Sequence, residues 1–370
     1  MGDLLFKLAR PALFFLDPER AHGVSIWALK FGFARTMARR ADDPILATKV
    51  WNLTFPNPVG LAAGFDKHGE VCDAALALGF GFVEAGTVTP RPQPGNSGQR
   101  LYRLTEDEAV INRFGFNSQG LAPFVTNLAR RRARPGIVGA NVGKNRDTTD
   151  SAADYIAGIE AVGALADYLV VNISSPNTPG LRTLQARAQI EELLSRVQDF
   201  RRREAASLRL PLLVKVGPDL DEKEVRDIAE VALASSVDGL IIGNTTVARP
   251  ATLKSPERNA PGGLSGKPLF APSTACLAAM YRFTKGRIPI VGCGGIASGA
   301  DAYAKIRAGA SLVQLYSALV FQGFGLIGQI KRELAALLRK DGFSSVCDAV
   351  GVDQRSNPSM SSGSNFISPR

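Results

Sequence analysis

The sequence predicts an α/β fold, a (β/α)8 barrel preceded by a small N-terminal helical hairpin. Three observations lead there. From about residue 50, short β-branched runs alternate with longer helical stretches, which means parallel strands joined by crossover helices. Eight such runs can be counted, and each ends in small or polar residues, as strands opening onto one barrel face do. An open doubly wound sheet is the rival arrangement.

Taken in order, residues 1 to about 45 read as two greasy helices. Asp17 followed by Pro18 starts the second, because Asp caps free amides and proline at the first helical position loses no hydrogen bond. Leu4, Leu5, Leu8, Phe14, Phe15, Val24, Trp27, Phe31 and Phe33 supply apolar surface. Over residues 1 to 40, seven basic side chains (Lys7, Arg10, Arg20, Lys30, Arg35, Arg39, Arg40) against three acidic ones (Asp3, Asp17, Glu19) leave +4. Such a hairpin either packs on the main domain or dips into a membrane surface.

The eight strand runs follow: "PVGLAAG" near 59, "FVEAGTV" near 83, "GIVGANVG" near 138, "YLVVNIS" near 169, "PLLVKVG" near 213, "GLIIGNTT" near 240, "IPIVGCGG" near 290 and "LVQLYSA" near 313. Helical stretches between them include Ile190 to Arg203, Glu222 to Leu233 and Asp301 to Ala308. The barrel domain is expected over 46–342 and a tail over 343–370. From about Gln354 that tail is serine-rich and aperiodic, so disorder is expected.

Composition narrows the classes. With 370 residues, 45% hydrophobic and 21% charged, the chain can bury a full core. Cys72, Cys276, Cys293 and Cys347 lie far apart without a CxxC pair, which argues against a metal site or a disulfide framework. No run reaches the roughly 18 apolar residues of a spanning helix, and "PALFFL" is too short for a signal peptide. A net charge of +10 suits nucleic acid, an anionic membrane or acidic ligands, but the aromatics are not interleaved with a basic stripe and no nucleic-acid motif is present.

In a barrel the strand C-termini converge on one rim, here carrying Lys67, Thr87, Asn141, Asn172, Lys215, Asn244, Thr245, Tyr316 and Ser317. "GCGGI" and "YSA" stand after strands seven and eight, where barrels hold phosphate on backbone amides. "GGLSG", residues 262–266, reads as a third glycine-rich loop toward the same group. Lysine in a barrel forms a Schiff base, as in aldolases, or holds negative charge on a bound ring. The asparagine-rich surroundings of Lys67 and Lys215 favour hydrogen bonding to a flat, amide-bearing ligand, hence a flavin.

"AAGFDK", "GTVTPRPQPGN", "INRFGFNSQG", "NISSPNTPGLRTLQ", "GGLSGKPL" and "GCGGI" together resemble the dihydroorotate dehydrogenases of the membrane-associated, quinone-using class. The resemblance covers roughly residues 1 to 340. It implies an FMN-containing (β/α)8 TIM barrel that oxidises dihydroorotate to orotate in pyrimidine synthesis. By resemblance Ala63, Gly64, Thr87, Asn141, Asn172, Lys215, Gly266, Gly295, Tyr316 and Ser317 contact FMN. Lys67, Asn112, Arg113, Phe114, Gly115, Phe116, Asn172, Asn177, Asn244 and Thr245 face the substrate.

The same resemblance makes Ser175 the catalytic base. A free serine is far too weak for that, so its proton must be relieved through an ordered water or the Thr178 hydroxyl in a closed pocket. Ser174 is expected only to cap the turn before the helix. Soluble, fumarate-using relatives carry cysteine at the Ser175 position, and they remain the alternative. The quinone class further implies a membrane-facing entrance in the hairpin, with His22, Arg103 and Tyr316 at its polar end. The expected location is peripheral, on the cytoplasmic face of the inner membrane.

Overall fold

The computed structural model describes residues 2–36, 41–131, 133–204 and 210–355, without side chains at 2–5, 35 and 36. The side chains of Asp3, Leu4, Leu5 and Arg35, all of Arg39 and Arg40, and the serine-rich tail from residue 356 lie outside the described residues.

Two helices open the chain, α1 (Gly2–Phe15) and α2 (Pro18–Lys30). Asp17 caps α2 as its sequence position predicts: the carboxylate accepts from Glu19 N at 3.0 Å and Arg20 N at 3.1 Å. An antiparallel pair follows, β1 (Thr48–Val50) and β2 (Leu53–Phe55). Next come β3 (Val59–Leu61), α3 (Cys72–Ala77), β4 (Phe82–Val88), β5 (Leu101–Leu104), β6 (Ala109–Asn112) and α4 (Leu121–Ala129). Then β7 (Ile137–Val142), α5 (Ser151–Val162), β8 (Tyr168–Asn172), α6 (Arg187–Arg203), β9 (Leu212–Val216) and α7 (Glu222–Ala234) alternate strictly. The last third holds β10 (Gly239–Ile242), β11 (Gly263–Gly266), α8 (Phe270–Thr284), β12 (Ile290–Cys293), α9 (Gly299–Arg307), β13 (Ala310–Leu315), α10 (Ala318–Gln322), α11 (Gly325–Lys340) and α12 (Val352–Arg355).

Strands β3, β4, β7, β8, β9, β10, β12 and β13 pair in that order, and β13 returns to β3 to close a parallel barrel. All eight overlap the runs expected to form them, the last starting two residues early at Ala310. Each is buried between a helix layer outside and a second core inside, so its sequence reads as a continuous apolar run. Helix starts are locally encoded: Asp221 and Glu224 form a reciprocal capping box on α7, with both bonds 2.8 Å.

The inner core is filled from below. Val50 and Phe55 of the β1–β2 pair plug the barrel, Phe55 lying 5.4 Å from the Phe82 ring and Trp51 lying 5.8 Å from the Tyr168 ring. Glycines make room for these rings: a Cβ at Gly60 would stand 2.2 Å from Phe82, and one at Gly139 would stand 2.1 Å from Tyr168. Above the opposite rim, β5, β6 and β11 form an antiparallel sheet. "GGLSG" therefore ends in a strand, Gly263–Gly266 paired with Ala109–Asn112, where a glycine-rich loop was expected. Gln354 and Arg355 likewise belong to the short α12, so irregular chain does not begin at Gln354.

The hairpin α1–α2 lies over the rim. Glu19 pairs with Arg100, Lys30 pairs with Glu70, and Arg103 Nη1 donates to Phe14 O at 3.0 Å. Its far side is greasy: Leu8, Phe15, Trp27 and Phe31 are exposed. Among the described residues no helix is long and apolar enough to cross a membrane.

Candidate active site

The site rises from a polar layer inside the barrel. Glu84 projects inward from β4, fully buried, and accepts from Asn141 Nδ2 and Gln314 Nε2, both at 2.7 Å. Lys215 Nζ on β9 stands 3.6 Å from Glu84 Oε1. A buried carboxylate persists only when paired and hydrogen-bonded, and Glu84 has both. Sequence reading missed it because it is one polar letter in the apolar run "FVEAGTV".

One layer higher, hydrogen bonds link the strand ends into an arc. Asn172 Nδ2 donates to Thr87 Oγ1 at 2.9 Å and to Asn141 Oδ1 at 3.2 Å, while Thr87 Oγ1 donates to the same Asn141 oxygen at 2.5 Å. Asn172 Oδ1 accepts from Ser174 Oγ at 2.6 Å, and Ser174 Oγ accepts from Asn244 Nδ2 at 2.7 Å. Ser174 is therefore a buried bridge between two asparagines and caps no helix. The turn bond falls to its neighbour, since Ser175 Oγ accepts from Asn177 N at 3.2 Å. The following helical turn, Arg182–Gln185, has no side-chain cap, so the capping role expected of Ser174 is not the one it fills.

Ser175 lines a cavity of about 560 Å³. Nearby, Thr178 Oγ1 and Thr245 Oγ1 are buried without a hydrogen-bond partner among the described residues. Buried hydroxyls are normally satisfied; of these two, Thr245 borders the cavity and Thr178 does not. Opposite stands Lys67, its Nζ 2.6 Å from Asn117 Oδ1 and 3.4 Å from the Phe114 ring centroid. Lys67 borders the cavity yet is enclosed by protein. Burial, with Arg100 adding repulsion against the pull of Glu19, lowers its pKa to about 7. Asn177 Nδ2 donates to Asn112 O at 2.9 Å and Asn112 Oδ1 at 3.3 Å, joining the serine loop to β6.

The glycines divide into two kinds. At Gly64 (φ 102°) a Cβ would meet nothing nearer than the Tyr316 ring, 3.8 Å away, leaving open space above the backbone. At Gly266 and Gly295, by contrast, a Cβ would lie 2.4 Å from Glu108 O and from Phe270 N, so those loops are pressed against their neighbours. Ser317 Oγ donates to Ser265 Oγ at 2.8 Å and ties the last barrel loop to β11.

Toward the hairpin the cavity turns apolar, lined by Phe6, Leu13 and Phe14. His22 sits at the transition, its Nδ1 3.4 Å from Tyr316 OH and its ring 5.3 Å from that of Phe65. Burial, then the charge on Lys67, lowers the His22 pKa to about 4, so the ring is neutral at physiological pH. Burial also pushes the Tyr316 phenol up. Arg103 Nε is buried without a partner among the described residues, and the guanidinium lies 4.4 Å from the Phe14 ring centroid.

Ala63, Gly64, Lys67, Thr87, Asn112, Phe114, Gly115, Phe116, Asn172, Ser175, Asn177, Lys215, Asn244, Thr245, Gly266, Gly295, Tyr316, Ser317, His22 and Arg103 all border this one cavity. Two residues expected beside them do not. Asn141 lies behind Thr87 and Asn172, and Arg113 is fixed by its backbone, its N donating to Arg100 O at 2.8 Å.

Comparison with known proteins places the chain in a family. The family described as "Dihydroorotate dehydrogenase" matches residues 45–338. The chain is 62% identical over 355 residues to a dihydroorotate dehydrogenase (quinone) of Xanthobacter autotrophicus, covering 95% of this chain and 99% of that protein. It is 55% identical over 365 residues to the Rhodospirillum rubrum protein of the same name, covering 99% and 98%. Among solved structures, DHODH from Eimeria tenella in complex with ferulenol superposes with a TM-score of 0.88 at 43% identity, over 92% of this chain and 96% of that one. The ligand-free form of the Eimeria protein gives 0.87 at the same identity, over 92% and 100%. A closed barrel, a polar arc above its floor and near-full-length likeness to enzymes of one name converge: the chain is an oxidoreductase belonging to the dihydroorotate dehydrogenase family, in the branch whose members are named for quinone.

Proposed function

We propose that the chain oxidises (S)-dihydroorotate to orotate with FMN as hydride acceptor and a membrane quinone as final electron acceptor, a step of de novo UMP synthesis. The observation that carries this reading is the single cavity, polar at Ser175 and Lys215 and apolar where α1 and α2 cover it. A polar, amide-bearing substrate and a greasy acceptor each find matching walls within one enclosure.

The residues fit FMN. Open space above Gly64, small residues at Ala63 and Gly295, and an ammonium at Lys215 match a flat ring with an anionic edge and a phosphate. Ala63, Gly64, Thr87, Asn172, Lys215, Gly266, Gly295, Tyr316 and Ser317 would hold it, with Asn141 steadying Thr87 and Asn172 from behind. When bound, FMN supplies two-electron redox chemistry between substrate and quinone.

The chain's own part is to bind, orient and move a proton. Ser175 Oγ takes the proton from the substrate carbon next to the one that loses hydride, so a hydride and a proton, two electrons and two protons in all, leave as a carbon–carbon double bond forms. Enclosure of Ser175, a residue 6% exposed, keeps bulk water from competing, and Thr178, whose hydroxyl has no partner among the described residues, is the acceptor proposed for onward transfer. Asn112, Asn177, Asn244 and Thr245 present donor and acceptor edges to the ring amides. Lys67 supplies a cation for the carboxylate, whose approach draws a proton back onto an amine that burial has weakened.

His22, Arg103 and Tyr316 form the polar end of the acceptor's passage, and the exposed Trp27 and Phe31 set that passage against a bilayer surface. A peripheral position on the cytoplasmic face of the inner membrane follows. Anaerobic mixing tests the whole: dihydroorotate should bleach a flavin absorbance in the purified protein, and a ubiquinone analogue, not fumarate, should restore it. A colourless protein, or recovery by fumarate alone, overturns the reading.

A further inference from the structure

Lys305 is a buried cation that the proposed mechanism does not use. It lies on α9 with its side chain fully buried; Nζ donates to Ser273 Oγ at 2.8 Å and Thr274 Oγ1 at 2.9 Å and stands 5.1 Å from the Phe270 ring centroid. Among the described residues no carboxylate forms an ion pair with it, although burying an ammonium without a counter-ion is costly. Asp301 of its own helix favours the charged form without pairing with it, and an anion beyond the protein is expected to offset the remaining cost.

The surroundings say what. The lysine stem passes beside Gly292, where a Cβ would stand 3.3 Å from its Cδ, so glycine leaves the channel open. Ser273 Oγ, which accepts the Lys305 bond, also lies 3.1 Å from Gly294 O. Gly294 and Gly295 follow β12 with φ of 107° and 76°, and Gly295 packs directly on the first residue of α8. The ammonium thus sits behind the small-residue loop that borders the cavity, one hydroxyl away from its backbone.

We propose that Lys305 is the buried counter-charge of the phosphate end of the cavity, a positioning residue coupled through Ser273 to the Gly294–Gly295 loop that favours a phosphorylated flavin over an uncharged one. The proposal rests on the FMN reading above. Burial lowers the Lys305 pKa to about 8, so the site is charged at neutral pH and discharges as pH rises beyond that value. The groups facing it are Cys276 of α8, Cys293 of β12 and Asp301 of its own helix, with Lys215 and Glu84 beyond Cys293. Burial raises both thiols, Cys276 to about 12, so neither competes as the titrating group near pH 8. The flavin phosphate, with a second pKa of about 6, stays dianionic throughout.

Flavin release from purified holoenzyme, followed by flavin fluorescence on dilution, decides it, with riboflavin as the uncharged probe. Lys305→Met should weaken FMN about tenfold at pH 7, the scale of one charge pair at intermediate dielectric, and leave riboflavin within about twofold. The wild type should lose FMN affinity, but not riboflavin affinity, between pH 7 and 9, and Lys305→Met should lose that dependence. Ser273→Ala should fall between the two. If Lys305→Met does not fold, the wild-type contrast between the two flavins across pH 7 to 9 decides alone. Equal weakening of both flavins, or FMN affinity indifferent to both substitution and pH, overturns the counter-charge. Protein that takes up neither flavin overturns the FMN reading itself, and this proposal with it.

Discussion

Arg182 and Asp219 meet across two barrel loops, with Nη1 of the arginine 2.9 Å from Oδ2 of the aspartate. The second amino group of Arg182 donates to Thr245 O at 2.9 Å, and Asp219 also accepts from the Thr246 hydroxyl and from Val247 N at 2.9 Å. One ion pair therefore ties the loop carrying Ser175 to the loops after β9 and β10. Asp219→Asn should cut turnover about tenfold, the scale of one charge-assisted bond, without loss of flavin. Steady-state kinetics beside the absorbance spectrum check this; unchanged turnover would show that the loop holds its shape unaided.

Removing the hydroxyl itself should cost far more. Ser175→Ala is expected to lower turnover of dihydroorotate by about 10²- to 10⁴-fold, the usual range for a general base, with the flavin spectrum intact. Ser175→Cys should recover part of the rate with its pH optimum shifted down, since a thiol near 8.5 ionises far more easily than an alcohol. An alanine variant at full speed would remove the serine from the chemistry.

Acid should expose the cost of keeping His22 neutral. Its folded pKa is about 4 against 6.5 unfolded, so the unfolded chain binds the extra proton. Stability from this group is complete above pH 6.5 and is lost as pH falls from 6.5 toward 4, up to about 3 kcal/mol. His22→Gln should lose correspondingly less over that window in urea titrations. Parallel pH profiles for the two proteins would contradict the assignment.

Gly139 tests the barrel floor. A methyl group 2.1 Å from the Tyr168 ring has no space to occupy in a wholly buried layer. Gly139→Ala should destabilise the protein by about 3 kcal/mol or more in denaturant titrations. An unaltered midpoint would mean that the floor yields more readily than its packing implies.

The greasy outer side of the hairpin predicts a kinetic split. Trp27 and Phe31 are 60% and 74% exposed, with ring centroids 4.6 Å apart. Replacing both by Glu should raise the apparent KM for long-chain quinone in anionic vesicles about tenfold, because buried apolar area and charge set surface binding. A short, water-soluble quinone should be reduced as before. Equal effects on both acceptors would relocate the fault to the passage itself.

The barrel was legible in the sequence because parallel strands buried on both faces read as unbroken apolar runs. The β1–β2 plug was not, since "TKV" and "LTF" are three-residue strands joined at Trp51 and Asn52, two non-glycine residues with positive φ. The β5–β6–β11 sheet was missed because β11 joins β6 from some 150 residues away, a pairing no local pattern announces. Within the site, the rim residues could be found from their place after each strand. Glu84 could not, because only the closed barrel turns that one carboxylate toward Lys215. The capping role expected of Ser174 failed because neighbouring asparagines, rather than a helix end, claim its hydroxyl.

The aromatic plug has a consequence for traffic. With its base stoppered by Val50, Phe55 and the rings they touch, the barrel is closed below, and the cavity lies at the end that the hairpin covers. Under the proposed function, the proton taken up by Ser175 is therefore passed on at the cavity end of the barrel rather than through its packed base.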